Sequence, residues 1–195
     1  MKRRFIDIFD YEGNKELLKY RLIKMENIVD LFVICDNSND TDVEYFISNN
    51  LNSFKEKILV LKNFNYRKNL SSMEQILSEL KLDYEDILSF SDSKSLPYID
   101  NPNFYKTLYF GTYILKSKVI DINEIDLGGE LELGSLMMFY HNFNKTKSDI
   151  PKIFEHISKN EINLSLFLHI ELGLKVSDTP IVKTVQNNKF VFNFN

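Results

Sequence analysis

The chain of 195 residues contains no alanine and no tryptophan, and it has one cysteine, four prolines and six glycines. The lone Cys35 cannot form an internal disulfide, and its place in the apolar run LFVICD predicts an inert, buried thiol. No apolar run reaches the ~18–20 residues that a helix needs to span a bilayer. The start of the chain has neither an apolar signal core nor a small-residue cleavage site, so we expect a cytoplasmic protein.

Positive charge is slightly outweighed by negative charge. The 24 Lys and Arg residues are outnumbered by 28 Asp and Glu residues, which gives a net charge of −4 and a pI near 5.5. This balance argues against electrostatic capture of nucleic acid or of an anionic membrane. The content of 44% hydrophobic and 27% charged residues is ordinary for a globular protein, and the length favours one domain over residues 1–195.

Several common catalytic and binding motifs are missing from the sequence. There is no GxGxxG or GxxxxGKS phosphate loop and no GxSxG nucleophile elbow. The three histidines, His141, His156 and His169, lack the spacing to cysteine that a structural zinc site needs. The chemistry of the chain must therefore come from other polar residues.

The first half of the sequence alternates between two hydrophobic periods. Segments with a short apolar run predict strands, and segments with apolar residues at helical spacing predict amphipathic helices. The predicted strands are 3–11, 29–36, 55–63 and 86–92, and the predicted helices are 14–26, 43–54 and 71–82. This alternation favours an α/β fold with a sheet of mostly parallel strands.

The second half changes character. Segments 107–122 and 125–143 are strand-like, with a turn at Gly128-Gly129, and predict a mixed or antiparallel extension of the sheet. Segment 148–174 predicts a return to helix, with Asp149 as a cap and Pro151 in the first turn. The tail 189–195 alternates apolar and polar residues, so we expect an edge strand or an extended segment.

Polar and acidic residues follow the predicted strands of the first half. They are Asp10-Tyr11-Glu12, Asp36-Asn37-Ser38 and Ser91-Asp92-Ser93. Because ligands of such sheets bind beyond the carboxyl ends of the strands, we expect these three segments to converge on one crevice. Carboxylates there suit a hard cation such as Mg²⁺ or Mn²⁺, or a general base. An aspartate at a strand end is also a common turn former, and this reading stays open.

Read in order, several segments resemble glycosyltransferase family 17, the β-1,4-mannosyl-glycoprotein β-1,4-N-acetylglucosaminyltransferase family. The segments are ELLKYRLIKMENIVDLFVICDNSND, DYEDILSFSDSKSLP, FYHNF, SKNEIN and TPIVKTVQNNKFVF. The resemblance implies a GT-A type, Rossmann-like fold with a helical C-terminal portion. It also implies a nucleotide-sugar donor, usually a UDP-sugar, a divalent metal (Mn²⁺ or Mg²⁺) and a glycan acceptor.

The strand-end positions and the resemblance together suggest roles for individual residues. From their place at the strand ends, Asp10, Asp36, Asn37, Asp92 and Ser93 would contact the donor, and the resemblance makes Asp92 the metal ligand. Asp92, Lys94, His141 and Glu161 would be the catalytic residues, with His141 and Glu161 on the acceptor side. Glu161 is the preferred general base, because a carboxylate accepts a hydroxyl proton directly.

The sequence departs from the family at its metal motif. The family's Asp-x-Asp-Glu is Asp92-Ser93-Lys94-Ser95 here, so one acid is replaced by an ammonium and the next by a hydroxyl. Three readings stay open: Lys94 replaces the charge of the metal, the site no longer catalyses and only binds, or Lys94 is a solvated turn residue. The predicted function is a sugar transferase that uses a nucleotide-sugar donor, and the alternative is a catalytically inactive binding protein of the same fold.

Overall fold

Strands and helices alternate through the first half of the chain, as the sequence predicts. The computed structural model describes residues 3–38, 43–91, 95–97, 112–120, 132–159, 175–186 and 190–194. The strands of this half are β1 (Phe5–Tyr11), β2 (Leu31–Asp36), β3 (Ile58–Lys62) and β4 (Ile87–Ser91), and the helices are α1 (Lys15–Met25), α2 (Val43–Asn50) and α3 (Leu70–Glu79). A short 3-10 helix over Asn52–Lys57 leads into β3.

The second half adds five strands and two helices among the described residues. They are β5 (Ser95–Pro97), β6 (Thr112–Ile120), β7 (Glu132–Phe139), α4 (Tyr140–Thr146), α5 (Ile150–Lys159), β8 (Lys175–Gln186) and β9 (Phe190–Phe194). A single 3-10 turn, Lys147–Asp149, separates α4 from α5. Pro151 is the second residue of α5, where its missing N–H costs no helical hydrogen bond.

The described strands form one sheet in the order β3-β2-β1-β4-β7-β6-β9-β8-β5. The first four strands are mutually parallel, and β7 continues the sheet antiparallel to β4. The remaining strands build the mixed extension that the composition of the second half predicts. The α/β, Rossmann-like class is therefore confirmed.

The strand order contains a reversal between β1 and β4. The chain steps outward from β1 to β2 and β3, then returns across the sheet to place β4 on the other side of β1. Helices α1 and α2 pack on one face, with Leu22 and Ile47 in a shared core, whereas α3 packs Met73 and Leu77 on the opposite face. The connections through α1 and α3 therefore run on opposite faces of the sheet, and in sheets of this kind the ligand crevice lies at the carboxyl ends of the strands where the order reverses.

Strand β1 lies at the centre of the parallel region and is buried along its whole length. Phe5 and Phe9 face the core beneath α1, and Ile6 and Ile8 face the core beneath α3. Helix α1 begins at the cap Asn14, whose side-chain oxygen accepts a hydrogen bond from Leu17 N at 3.0 Å. Because both faces of β1 are covered, its apolar residues are buried on both faces of the sheet.

Buried and partly buried polar side chains join the amino ends of the central strands. The carboxylate of Asp86 accepts hydrogen bonds from Arg4 N at 2.8 Å and from Arg4 Nε at 2.9 Å. Asp30 accepts a hydrogen bond from Phe5 N at 3.0 Å. These contacts align β1, β2 and β4 at the edge of the sheet opposite the crevice.

Three features of the second half can be compared with the sequence predictions. The predicted helix 148–174 is confirmed over α5, and residues 160–174 lie outside the described part. Strand β8 was not predicted from the sequence. The tail forms β9, which is a strand as predicted but pairs with both β8 and β6 and so does not lie at an edge.

The helices of the described ranges are too short or too polar to span a membrane. None of them has the length and apolar character needed to cross a bilayer.

Two neighbouring residues of α1 test this packing. Leu22 is fully buried, whereas Ile23 is 49% exposed. We expect Leu22→Ala to lower the free energy of unfolding by about 2–5 kcal/mol, because it leaves a cavity in the core. The matched variant Ile23→Ala should change it by less than about 0.5 kcal/mol. Urea unfolding followed by circular dichroism measures both, and equal losses would contradict the assigned face of α1.

Candidate functional site

The carboxyl ends of β1, β2 and β4 lie side by side at one edge of the sheet. In the strand register Tyr11 is opposite Asp36, and Phe9 is opposite Ser91. Asp10 and Asp36 are both buried although they stand at strand ends. The three strand ends therefore converge as the sequence predicts, and Ser91 is the last described residue of the third.

A chain of hydrogen bonds joins these strand ends. Asn37 Nδ2 donates to Asp10 Oδ1 at 3.0 Å, and the Arg67 guanidinium pairs with Asp10 Oδ2 at 3.1 Å. Arg67 Nε donates to the hydroxyl of Tyr66 at 3.2 Å, and this hydroxyl donates to the carbonyl oxygen of Ser91 at 3.1 Å. The chain thus crosses from β2 over β1 to β4, and it spans the reversal in strand order.

Arg67 is brought to the site by the loop between β3 and α3. The side chain of Asn65 accepts hydrogen bonds from the backbone N–H groups of Arg67 at 3.0 Å and Lys68 at 3.2 Å. Its carbonyl oxygen accepts a further bond from Asn69 N at 3.0 Å, where α3 begins. Such a side-chain turn fixes the loop conformation. The Arg67 side chain is 30% exposed, so it is both anchored and open to solvent.

Asp36 organises the loop that follows β2. Its Oδ1 accepts hydrogen bonds from Ser38 N at 2.9 Å and from Ser38 Oγ at 2.6 Å. Gly13, in the loop after β1, lies beside Ser38 with a φ of +92°, a backbone conformation that favours glycine. The loops after β1 and β2 therefore meet at the edge of the site.

Two buried titratable groups surround the Asp10–Arg67 pair. Burial raises the pKa of the Cys35 thiol, and the negative charge of Asp10 raises it further. Burial likewise raises the pKa of Tyr66, while the neighbouring Arg67 cation opposes this shift. Cys35 and Tyr66 therefore remain protonated at neutral pH. The prediction of a buried Cys35 is confirmed.

A second ion pair lies under the site on the α1 face of the sheet. Arg21 Nε and Nη2 donate to the two carboxylate oxygens of Asp7, both at 2.8 Å. Arg21 Nη2 also donates to Ser91 Oγ at 2.6 Å. The Arg21 Cζ atom lies 3.9 Å from the centre of the Phe9 ring. The end of β4 is thus tied to both β1 and α1.

The predicted site residues divide into three groups. Asp10, Asp36 and Asn37 lie together at the carboxyl edge. Asp92, Ser93, Lys94 and Glu161 lie outside the described residues. His141 follows β7 at the opposite edge, where its ring stacks on Tyr84 with centroids 4.7 Å apart.

The position of His141 separates it from the crevice. Its neighbour Phe139 is paired with Ile87 at the amino end of β4. Ser91 lies four residues further along β4, about 13 Å of extended strand from that level. The structure therefore does not bring His141 to the site of Asp10 and Asp36. Its Nδ1 atom lies 3.1 Å from the carbonyl oxygen of Tyr84.

The described residues do not form a metal site on their own. Within those ranges no group of three or more His, Cys, Asp or Glu side chains is placed to hold a metal ion. Asp10 is already paired with Arg67, and Asp36 accepts two hydrogen bonds from Ser38. The predicted ligand Asp92 lies outside the described residues.

Sequence reasoning missed Arg67, Tyr66 and Arg21. Arg67 and Tyr66 belong to the loop segment NFNYRKN, which shows no hydrophobic period. Arg21 could have been found from the sequence, because this arginine lies on the apolar face of α1 among Leu17, Leu18 and Leu22. A cation in that position indicates a buried anionic partner.

Comparison with known proteins supports the fold. No protein-family model matches the chain, and no curated protein is significantly similar to it. A solved 4-diphosphocytidyl-2C-methyl-D-erythritol synthase is similar with a TM-score of 0.50 and 15% identity, over 76% of this chain and 79% of that one. This likeness shows a shared fold.

Two further solved structures have lower TM-scores. The glycosyltransferase GlyE of Streptococcus pneumoniae has a TM-score of 0.48 and 12% identity, over 91% of this chain and 45% of that one. A mannosyltransferase of Pyrobaculum calidifontis, solved with GDP-Man and Mn²⁺, has a TM-score of 0.41 and 10% identity, over 59% of this chain and 36% of that one.

The buried thiol gives a test of this part of the sheet. Cys35 has a raised pKa in the folded chain, so at pH 9 it stays protonated while an unfolded thiol, with its ordinary value of 9.0, is half ionised. We expect Ellman's reagent to label the native protein at least about a thousandfold more slowly than the urea-unfolded chain, since exposure requires opening a core strand. Rapid labelling of the native protein would contradict the burial of β2.

Proposed function

We propose that this chain transfers a sugar from a nucleotide-sugar donor, a UDP-sugar, to a hydroxyl of a glycan acceptor. The observation that carries the proposal is the hydrogen-bonded chain from Asn37 through Asp10, Arg67 and Tyr66 to Ser91. It lies at the carboxyl ends of parallel strands, at the reversal in strand order, which is where open α/β sheets bind nucleotides. The sequence resemblance to glycosyltransferase family 17 supports the donor class.

The described side chains suit the polar parts of a nucleotide. Asn37 and Asp36 would contact the nucleoside, because amide and carboxylate groups bond to ribose hydroxyls and base edges. Arg67 would bind a phosphate or base oxygen with its exposed guanidinium. Asp10 would hold Arg67 in place and keep its charge at the mouth of the crevice.

Charge on the departing diphosphate needs a cation. The resemblance assigns this place to Asp92 and its metal, but Lys94 replaces the next family acid. We propose that the Lys94 ammonium supplies the charge that a metal would otherwise contribute. Glu161 would accept the proton of the attacking hydroxyl, as the family pattern suggests.

A second candidate function is a binding protein that has lost catalysis. It is favoured by one observation, the replacement of two family acids in the segment Asp92-Ser93-Lys94-Ser95. Such a protein would keep the contacts of Asp10, Arg67 and Asn37 and bind the same nucleotide sugar without turning it over.

Release of UDP from a panel of UDP- and GDP-sugars, with and without Mn²⁺, separates the two functions. We expect turnover with a UDP-sugar that persists in EDTA, because Lys94 replaces the ion. Lys94→Met and Asp92→Asn should each lower kcat at least about a hundredfold, whereas Lys94→Arg keeps the charge and much of the activity. Tight binding of a donor without release under any condition would support the binding protein.

Binding of UDP tests the part of the site that the structure describes. We expect Arg67→Gln to weaken UDP binding by about ten- to a hundredfold, because a hydrogen bond to a charged group contributes about 1.5–3 kcal/mol. Lys68→Gln removes an equal charge from the next, exposed residue and should change the affinity by less than about threefold. Isothermal titration calorimetry measures both. If the two substitutions weaken UDP binding equally, Arg67 contributes only its charge and makes no specific contact with UDP.

A further inference from the structure

Arg21 has a position that packing does not explain. It is only 1% exposed and lies in the core between α1 and the sheet. Burying a charged pair removes both partners from water, so a buried pair adds little net stability compared with apolar side chains of similar size. A leucine or methionine would complete the apolar face of α1 that Leu18 and Leu22 begin. The arginine therefore has a use besides filling space.

The guanidinium of Arg21 is fixed on several sides. Two hydrogen bonds hold it to Asp7 on β1, and the ring of Phe9 lies against its face. A third hydrogen bond, 2.6 Å long, reaches Ser91 Oγ on β4. Because the guanidinium binds Asp7 through two hydrogen bonds and Ser91 through a third, Arg21 is a rigid link between β1 and β4.

Ser91 is also held from the other face of the sheet. The hydroxyl of Tyr66, which is fully buried, donates to the carbonyl oxygen of Ser91 at 3.1 Å. The same hydroxyl accepts a hydrogen bond from Arg67. The last residue of β4 is therefore clamped by its side chain on the α1 face and by its backbone on the α3 face.

We propose that Arg21 and Tyr66 are positioning residues, which together fix the carboxyl end of β4 beside the donor. The proposal rests on the proposed transferase function. Asp92 is bonded directly to Ser91, and consecutive Cα atoms are about 3.8 Å apart, so a displaced Ser91 would displace the start of the segment that bears Asp92 and Lys94. Neither Arg21 nor Tyr66 would touch the substrate.

Ser91→Ala tests the link with the smallest change, because it removes the bond to Arg21 and leaves the Asp7–Arg21 pair. We expect kcat for the UDP-sugar to fall by about ten- to a hundredfold, because small displacements of reacting groups slow the chemical step. KM should change by less than about threefold. Ser91→Thr keeps the hydroxyl and should retain most of the activity. A kcat within about twofold of the parent in Ser91→Ala would overturn the proposal.

A matched control separates positioning from loss of stability. Arg4→Gln breaks the Arg4–Asp86 pair, in which Asp86 is buried and Arg4 partly exposed, at the opposite edge of the same strands. It should lower the unfolding midpoint in urea without changing kcat by more than about twofold. If Arg4→Gln lowers kcat as much as Ser91→Ala does, the effect is general destabilisation and the proposal fails.

A measurement without turnover keeps the proposal testable if the transferase function is wrong. Hydrogen exchange of the backbone amides of Phe90 and Ser91, followed by NMR, should be about tenfold faster in Ser91→Ala than in the parent or in Ser91→Thr, because the strand end opens more often. Unchanged exchange would show that Arg21 does not fix β4, whatever the activity. If exchange is faster in Ser91→Ala but the parent protein turns over no donor, Arg21 and Tyr66 still fix the end of β4 and the proposed function is wrong.

Discussion

The reversal of strand order between β1 and β4 is the constraint on which the site depends. Helices α1 and α2 cover one face of the parallel strands and α3 covers the other, so the described helices pack on the faces of the sheet and not on the carboxyl ends at this boundary. The polar groups at this boundary are buried, and hydrogen bonds to one another compensate for the loss of water. Asp10 and Ser91 occupy the two sides of the boundary, and the loop after β3 brings Tyr66 and Arg67 across it. The topology thus determines which side chains can meet a ligand.

Two arginine–aspartate pairs use the two faces of β1. Asp7 faces α1 and pairs with Arg21, whereas Asp10 lies on the opposite face and pairs with Arg67. The first pair is buried and rigid, and the second has a partly exposed cation. Buried ionised carboxylates require such partners, because desolvation otherwise favours the neutral acid. We therefore interpret the Asp7–Arg21 pair as structural support and the Asp10–Arg67 pair as the part that can respond to a ligand.

Local patterns predicted the parallel half of the fold but not the contacts across it. The apolar runs of β1, β2 and β4 and the helical spacing of α1 and α3 gave the correct elements and their polar ends. Arg67 could not be assigned, because its partner Asp10 is 57 positions earlier in the chain. The family resemblance assigns His141 to the acceptor side, and chain order does not reveal which edge of the sheet a strand end reaches. Strand β7 runs antiparallel to β4, so its carboxyl end arrives at the amino edge.

The charges at the crevice limit how a diphosphate could bind. In the described chain of contacts the cation of Arg67 is balanced by Asp10, and Asp36 at the end of the neighbouring strand β2 is a further acidic residue. A nucleoside diphosphate is itself an anion, and its approach to a neutral or acidic pocket in a low-dielectric setting is unfavourable. More positive charge must therefore come from another side chain or from an ion bound together with the donor. Lys94 follows Ser91 by three positions, so it is the cationic residue nearest in sequence to the described end of β4. This nearness in sequence is the reason for proposing its ammonium as the source of the charge that the described contacts do not supply.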